Sequence, residues 1–126
     1  MRYLIDTHIL LWFFSADKQL KNNKREIINN TDNEIFISII SLWEIAIKLS
    51  IEKLKIEYDF EELTELLQKH DIKVIGISYP QTKIVKDLPF HHKDPFDRML
   101  IAQAISENLT IITEDQYFKS YEAKVL

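Results

Sequence analysis

Apolar positions in this chain follow two rhythms: short unbroken runs, and stripes repeating every three to four residues. The unbroken runs are Tyr3–Ile5, Glu34–Ile39 (EIFISI), Lys73–Ile77 (KVIGI) and Leu109–Thr113 (LTIIT). Little polar alternation interrupts them, which is how strands read when both faces are covered, as in a parallel sheet. Between them lie helix-like stretches. His8–Ser15 is apolar nearly all round and predicts a buried first helix, followed by a polar loop and a second helix over Asn22–Asn29. Ser41–Glu52 places Leu42, Ile45, Ala46 and Leu49 on one face, and Asp59–His70 does the same with Leu63, Leu66 and Leu67. Tyr79–Leu88 begins with a proline in its first turn, and Asp94–Glu107 is the clearest helix of all. A helical turn around Gln116–Tyr121 and an edge strand at Lys124–Leu126 close the chain. Strands alternating with helices predict an α/β fold: a three-layer α/β/α sandwich on a central parallel sheet of four to five strands.

Composition narrows what this frame can carry. With 126 residues, 46% of them hydrophobic, the chain can bury a core without metal or disulfide staples, so residues 1–126 are expected to form one domain. The absence of cysteine removes thiolate metal sites and Cys nucleophiles and permits a reducing compartment, with the cytoplasm as the default. Asp6 and His8 interrupt the apolar start of the chain, which argues against a signal peptide, and no run is long enough to span a membrane. A net charge of −4 argues against binding nucleic acid through a globally basic surface, but leaves room for a local basic rim from Lys48, Lys53, Lys55 and Lys93.

The candidate chemistry lies in where the acids fall. Asp6 ends the first strand, Glu44 lies in the first turn of the helix leaving the second, Asp97 lies in the first turn of the helix that feeds the fourth, and Asp115 follows that strand. In a right-handed parallel arrangement these helices begin at the strands' carboxyl edge, where open α/β sheets bind ligands, so all four carboxylates are carried to one edge. Each acid also has a local explanation. Asp6 and Asp115 can cap the helices that follow them, Ser41-Leu42-Trp43-Glu44 reads as a capping box, and Asp97 suits the helix dipole. Asp94, three residues before Asp97 and followed by Pro95, fits a cap better than a ligand. Taken together, four neighbouring acids would raise one another's pKa unless a cation or deep hydration compensated them. Hard oxygen donors without thiolate suit Mg²⁺ or Mn²⁺, and such a site suits phosphodiester hydrolysis.

Leu4-Ile5-Asp6-Thr7, Ser41-Leu42-Trp43-Glu44-Ile45-Ala46-Ile47-Lys48, the stretch from Leu88 to Ala104 (LPFHHKDPFDRMLIAQA) and Thr113-Glu114-Asp115 occur in an order and spacing that resemble the PIN-domain ribonucleases, and within them the VapC-like toxins of bacterial toxin-antitoxin pairs. The resemblance covers nearly the whole chain. It implies a compact α/β/α sandwich, Mg²⁺-dependent endoribonuclease activity, and metal-site acids at Asp6, Glu44, Asp97 and Asp115. It further implies a protein antitoxin that blocks the site, and a homodimer. One departure is Glu52-Lys53-Leu54 where the family usually has Gly-Lys-Leu, which questions the local turn rather than the chemistry.

Secondary candidates keep two readings each. Thr7 and Thr113 can hold a carboxylate or a metal-bound water, or simply satisfy local backbone. Arg98 can contact substrate phosphate or pair with a site acid. For His91 and His92 a polar loop entering a helix is the simpler explanation, with RNA contact the alternative. Trp12, Phe13, Phe14 and Trp43 read as core, though some can face a partner. Two other function classes fit the same pattern: a metal nuclease acting on DNA or a 5′-flap, and a non-enzymatic module that keeps the fold to dock a partner.

Overall fold

A computed structural model describes all of Met1–Leu126. Five parallel strands, β1 (Arg2–Ile5), β2 (Glu34–Ser38), β3 (Ile72–Ile75), β4 (Thr110–Ile112) and β5 (Lys124–Val125), form one sheet in the order β3-β2-β1-β4-β5. The chain starts in the middle, steps outward twice, then crosses to the other side of β1. That reversal makes the carboxyl ends of β1 and β4 the topological switch point, the place where open α/β sheets leave a crevice. Tyr3 is in register with both Ile35 and Thr110, and Ile5 with both Ile37 and Ile112, so β1 is hydrogen-bonded on both edges.

Six α-helices cover the two faces: α1 (Thr7–Ser15), α2 (Asn22–Asn29), α3 (Ile39–Ser50), α4 (Leu63–Lys69), α5 (Tyr79–Asp87) and α6 (Pro95–Glu107). The period of two along β1 splits the core. Tyr3 and Ile5 point into one cluster with Ile9, Leu10 and Phe13 of α1, Ile45 of α3 and Leu63 and Leu67 of α4. Leu4 points into the other, with Phe36, Ile111, Leu100 and Ile101 of α6, and Phe118. Both faces are thus closed, as the unbroken apolar runs predicted, and the architecture is the three-layer α/β/α sandwich. No helix is long and apolar enough to cross a membrane.

Two local expectations change. The capping box at Ser41–Glu44 does not form, because the helix starts earlier: Ser38 ends β2, and its Oγ accepts from the Ile40 N–H at 3.1 Å as the N-cap of α3. Ser41 Oγ is buried without a partner, and Glu44 lies in the second turn rather than the first. Trp43 is not core. Glu44 and Ile45 take the inward directions of α3, so the helical period turns Trp43 outward, 57% exposed and edge-on to Phe96 with ring centroids 5.3 Å apart. The questioned turn after α3 does form. Glu52 adopts φ 57°, and the N–H groups of Lys53 and Glu52 close on the carbonyls of Lys48 and Leu49, the Schellman pattern that usually takes glycine at this position.

Candidate active site at the β1–β4 switch point

The chain reversal at β1 and β4 puts Asp6 and Thr113 side by side, tied by the Asp6 N–H to the Ile112 carbonyl at 3.2 Å. Asp6 serves two purposes. Its Oδ1 accepts from the Ile9 N–H at 2.9 Å and so caps α1, while its Oδ2 accepts from Thr113 Oγ1. Thr113 Oγ1 in turn accepts from the Asp115 N–H at 2.9 Å, so one buried hydroxyl fixes the relation between the two acids. Lys24, which the sequence did not single out, braces this corner by donating to the Thr113 carbonyl at 2.9 Å and to Glu114 at 2.8 Å. Its signal was invisible, since α2 is distant in sequence.

Glu44 is buried between two donors. Thr7 Oγ1 donates to its Oε1 at 2.7 Å, and Lys48, one turn along α3, donates to its Oε2 at 2.8 Å. Of the lysines proposed as a basic rim, Lys48 is therefore engaged with the acid itself. Asp97 lies in the first turn of α6 behind the cap Asp94, whose Oδ1 accepts from the N–H groups of Phe96 and Asp97 at 2.8 and 3.1 Å, as a capping role requires. Asp115 caps the 3₁₀ turn Gln116–Ser120, with Oδ1 accepting from the Tyr117 N–H at 2.9 Å.

Two residues differ from expectation. Arg98 contacts neither an acid nor open solvent: it is buried, and its guanidinium donates to the carbonyls of Val85, Leu88, Pro89 and His92 at 3.1, 3.2, 2.8 and 3.5 Å. Five fixed donors suit it to gathering a loop's carbonyls, and residues 88–94 supply most of them. His92 is not a bystander of that loop. Its Nε2 lies 2.9 Å from Asp97 Oδ2 and 3.0 Å from Asp115 Oδ2, and ligating atoms of these three residues lie within 4.8 Å of one another. The doublet His91-His92 gave no sign of which ring would turn in. His91 instead stacks edge-on to Tyr121 at 5.1 Å.

The electrostatics follow from this crowding. Burial, reinforced by the charge of Asp94, raises Asp97 to about 7, against the opposing pull of His92, and Asp6 and Glu44 add to the rise. Burial likewise raises Asp6, partly offset by its bonds from Thr113 and Ile9. Four acids from four separate stretches thus sense one another across a single corner, held in place by threonines and a lysine. Such an oxygen-rich donor set without thiolate fits a hard divalent cation.

A fold and site of this kind define a class. The family model of the PIN domain matches residues 3–124, and the chain belongs to that family. Among curated proteins it is similar to the ribonuclease VapC22 of Mycobacterium tuberculosis, 24% identical over 119 residues that cover 94% of this chain and 90% of the relative. Among solved structures it is similar to VapBC2 from Rickettsia felis bound to a DNA fragment from their promoter, with TM-score 0.73, 23% identity and coverage of 100% of this chain and 98% of that one. It is similar also to a toxin-antitoxin complex from Klebsiella pneumoniae, with TM-score 0.67, 21% identity and coverage of 98% and 95%.

Proposed function

We propose that this chain is a divalent-metal-dependent endoribonuclease, the toxin of a toxin-antitoxin pair, with Asp6, Glu44, Asp97 and Asp115 as its catalytic, metal-holding acids. The observation that carries the reading is the convergence of these acids on the β1–β4 switch point of a PIN-family fold, where burial first, and neighbouring carboxylates after it, raise Asp97 to about 7. Its relatives support the biological setting: one is named a ribonuclease, and one solved neighbour is a toxin-antitoxin complex.

Mg²⁺, or Mn²⁺, is the cofactor this donor set favours, and when bound it would orient and activate water and neutralise charge on the phosphate. The chain's own residues prepare for that. Thr113 fixes Asp6 relative to Asp115, while Thr7 and Lys48 hold Glu44 by both oxygens. Asp97 holds a proton near neutrality in the metal-free protein and must release it to accept a cation, because a ligating carboxylate is deprotonated. Lys93, exposed on the loop beside the site, and exposed Lys53 and Lys55 leave cationic groups for substrate phosphate. Proposed partners are an RNA substrate, a protein antitoxin encoded beside the toxin and a second copy of the chain, in the cytoplasm.

Incubating purified protein with structured RNA, duplex DNA and a 5′-flap substrate, with Mg²⁺ or with excess EDTA, tests the reading. RNA cleavage that needs Mg²⁺ is expected. Cleavage of DNA alone would favour the flap-nuclease reading, no cleavage by folded protein would favour a docking module, and robust RNA cleavage in EDTA would remove the metal from the mechanism.

A further inference from the structure

His92 is held more firmly than a loop histidine needs to be. Tyr121 Oη donates to the Pro89 carbonyl at 2.8 Å and accepts from the His92 N–H at 2.8 Å, while Arg98 gathers the carbonyls on the other side of the loop. The ring so placed packs 5.4 Å from Tyr117 and 6.1 Å from Phe118, and its Nε2 enters between Asp97 and Asp115. At the other end of the ring, Nδ1 accepts from the Asp94 N–H at 3.2 Å. That bond decides the tautomer. A nitrogen that accepts an N–H carries a lone pair, so in the neutral ring the proton resides on Nε2, the atom facing the two acids. A histidine that ligates a metal must present a bare nitrogen to it, usually while donating from the other. His92 has the opposite polarity.

We propose that His92 is a positioning residue and the built-in occupant of the acid cluster: its Nε2–H, hydrogen-bonded to Asp115 with Asp97 Oδ2 2.9 Å away, holds the two carboxylates together without a metal, and a divalent ion must displace it. The inference rests on the reading of these acids as a cation site. It assigns the imidazole a donor's role, in which it competes with the ion and lowers the protein's apparent affinity for it.

The test is calorimetric titration of metal-free protein with MgCl₂ at one fixed pH, for the wild type, His92→Ala and His92→Gln. Removing the competing donor should tighten Mg²⁺ binding by roughly ten- to a hundredfold in His92→Ala, the scale of one hydrogen bond to a charged acceptor, while His92→Gln, which keeps an N–H donor, should fall between. Nitrogen-15 NMR of the histidine rings in the wild type gives a reading that no variant's folding can spoil: the Nε2–H tautomer in metal-free protein, with that proton retained but exchanging faster with water once Mg²⁺ is bound. Weaker binding by His92→Ala, or loss of the Nε2 proton on saturation, would make His92 a ligand and overturn the proposal. Equal binding by all three proteins would overturn it while leaving the cation site intact. No binding by any of them would overturn it together with the cation reading.

Discussion

Replacing Asp97 by asparagine sets the crowding of the site against the ordinary value of an acid at a helix start, because the two effects have opposite signs. Asp97 is in the first turn of α6, where a negative charge stabilises the helix by roughly 0.3 to 1 kcal/mol at low salt. Against this stands its raised pKa, about 7 in the folded protein, driven first by burial and then by Asp94. A carboxyl whose folded pKa exceeds its unfolded one binds its proton more tightly when native. Metal-free wild type should therefore gain stability as the pH falls through 7 toward the unfolded value near 4, a contribution that is absent above 7. At about 1.4 kcal/mol per unit, discounted for coupling and partial exposure, the penalty at pH 8 is on the order of 2 to 4 kcal/mol. Asparagine removes it and keeps an acceptor for His92 Nε2, now 2.9 Å from Asp97 Oδ2. Net stabilisation of about 1 to 3 kcal/mol is expected at pH 8, shrinking to nothing or reversing by pH 4. Urea unfolding of both proteins in EDTA, at pH 8 and pH 4, measures it. An Asp97→Asn protein less stable than wild type at pH 8 would refute the reasoning and leave Asp97 as a helix-start residue.

Other consequences concern the same corner and its supports. Because Asp97 must lose its proton to accept a cation, Mg²⁺ affinity measured by calorimetry should be about tenfold weaker at pH 6 than at pH 8, and an affinity independent of pH would count against Asp97 as a ligand. Thr113→Val keeps the shape but leaves Asp6 Oδ2 and the Asp115 N–H without their shared hydroxyl, so metal-free stability should drop by roughly 1 to 3 kcal/mol in denaturant titration. A neutral outcome would mean that water replaces the hydroxyl. Glu52→Gly should stabilise the chain by about 0.5 to 1 kcal/mol, since relief of the left-handed φ of 57° outweighs the added freedom of the unfolded glycine; a destabilised variant would show that the turn is not strained.

How much of this could be read from the sequence varies with the range of the interaction. Apolar runs at residues 3–5, 34–39, 73–77 and 109–113 located the first four strands, and the alternation with helices specified a parallel sheet, because covering both faces of a strand leaves a local mark. The convergence of Asp6, Asp97 and Asp115 was legible for a similar reason: each lies at a chain position that topology sends to one edge. Glu44 reaches the same corner from the helix that leaves β2, but the capping box that offered its local explanation does not form. Ser38, three residues before Ser41, caps α3, and the acid is held instead by Thr7 and Lys48. Long-range side-chain bonds left no local mark at all. Lys24 reaches Glu114 across 90 residues, and Arg98 and Tyr121 hold the loop that aims His92, yet in sequence Lys24 and Tyr121 gave no signal and Arg98 read as a contact for phosphate or a site acid. Trp43 read as core because its neighbours are apolar, and only the direction taken by Glu44 turns it outward.

Whether Asp6, Glu44, Asp97 and Asp115 converge to hold a divalent cation is measured most directly by anomalous diffraction from crystals of this protein grown with Mn²⁺. A peak is expected at the β1–β4 switch point with oxygens of Asp97 and Asp115 as ligands and Asp6 and Glu44 around it. A saturated crystal with no peak there, or with its peak elsewhere on the molecule, would contradict it.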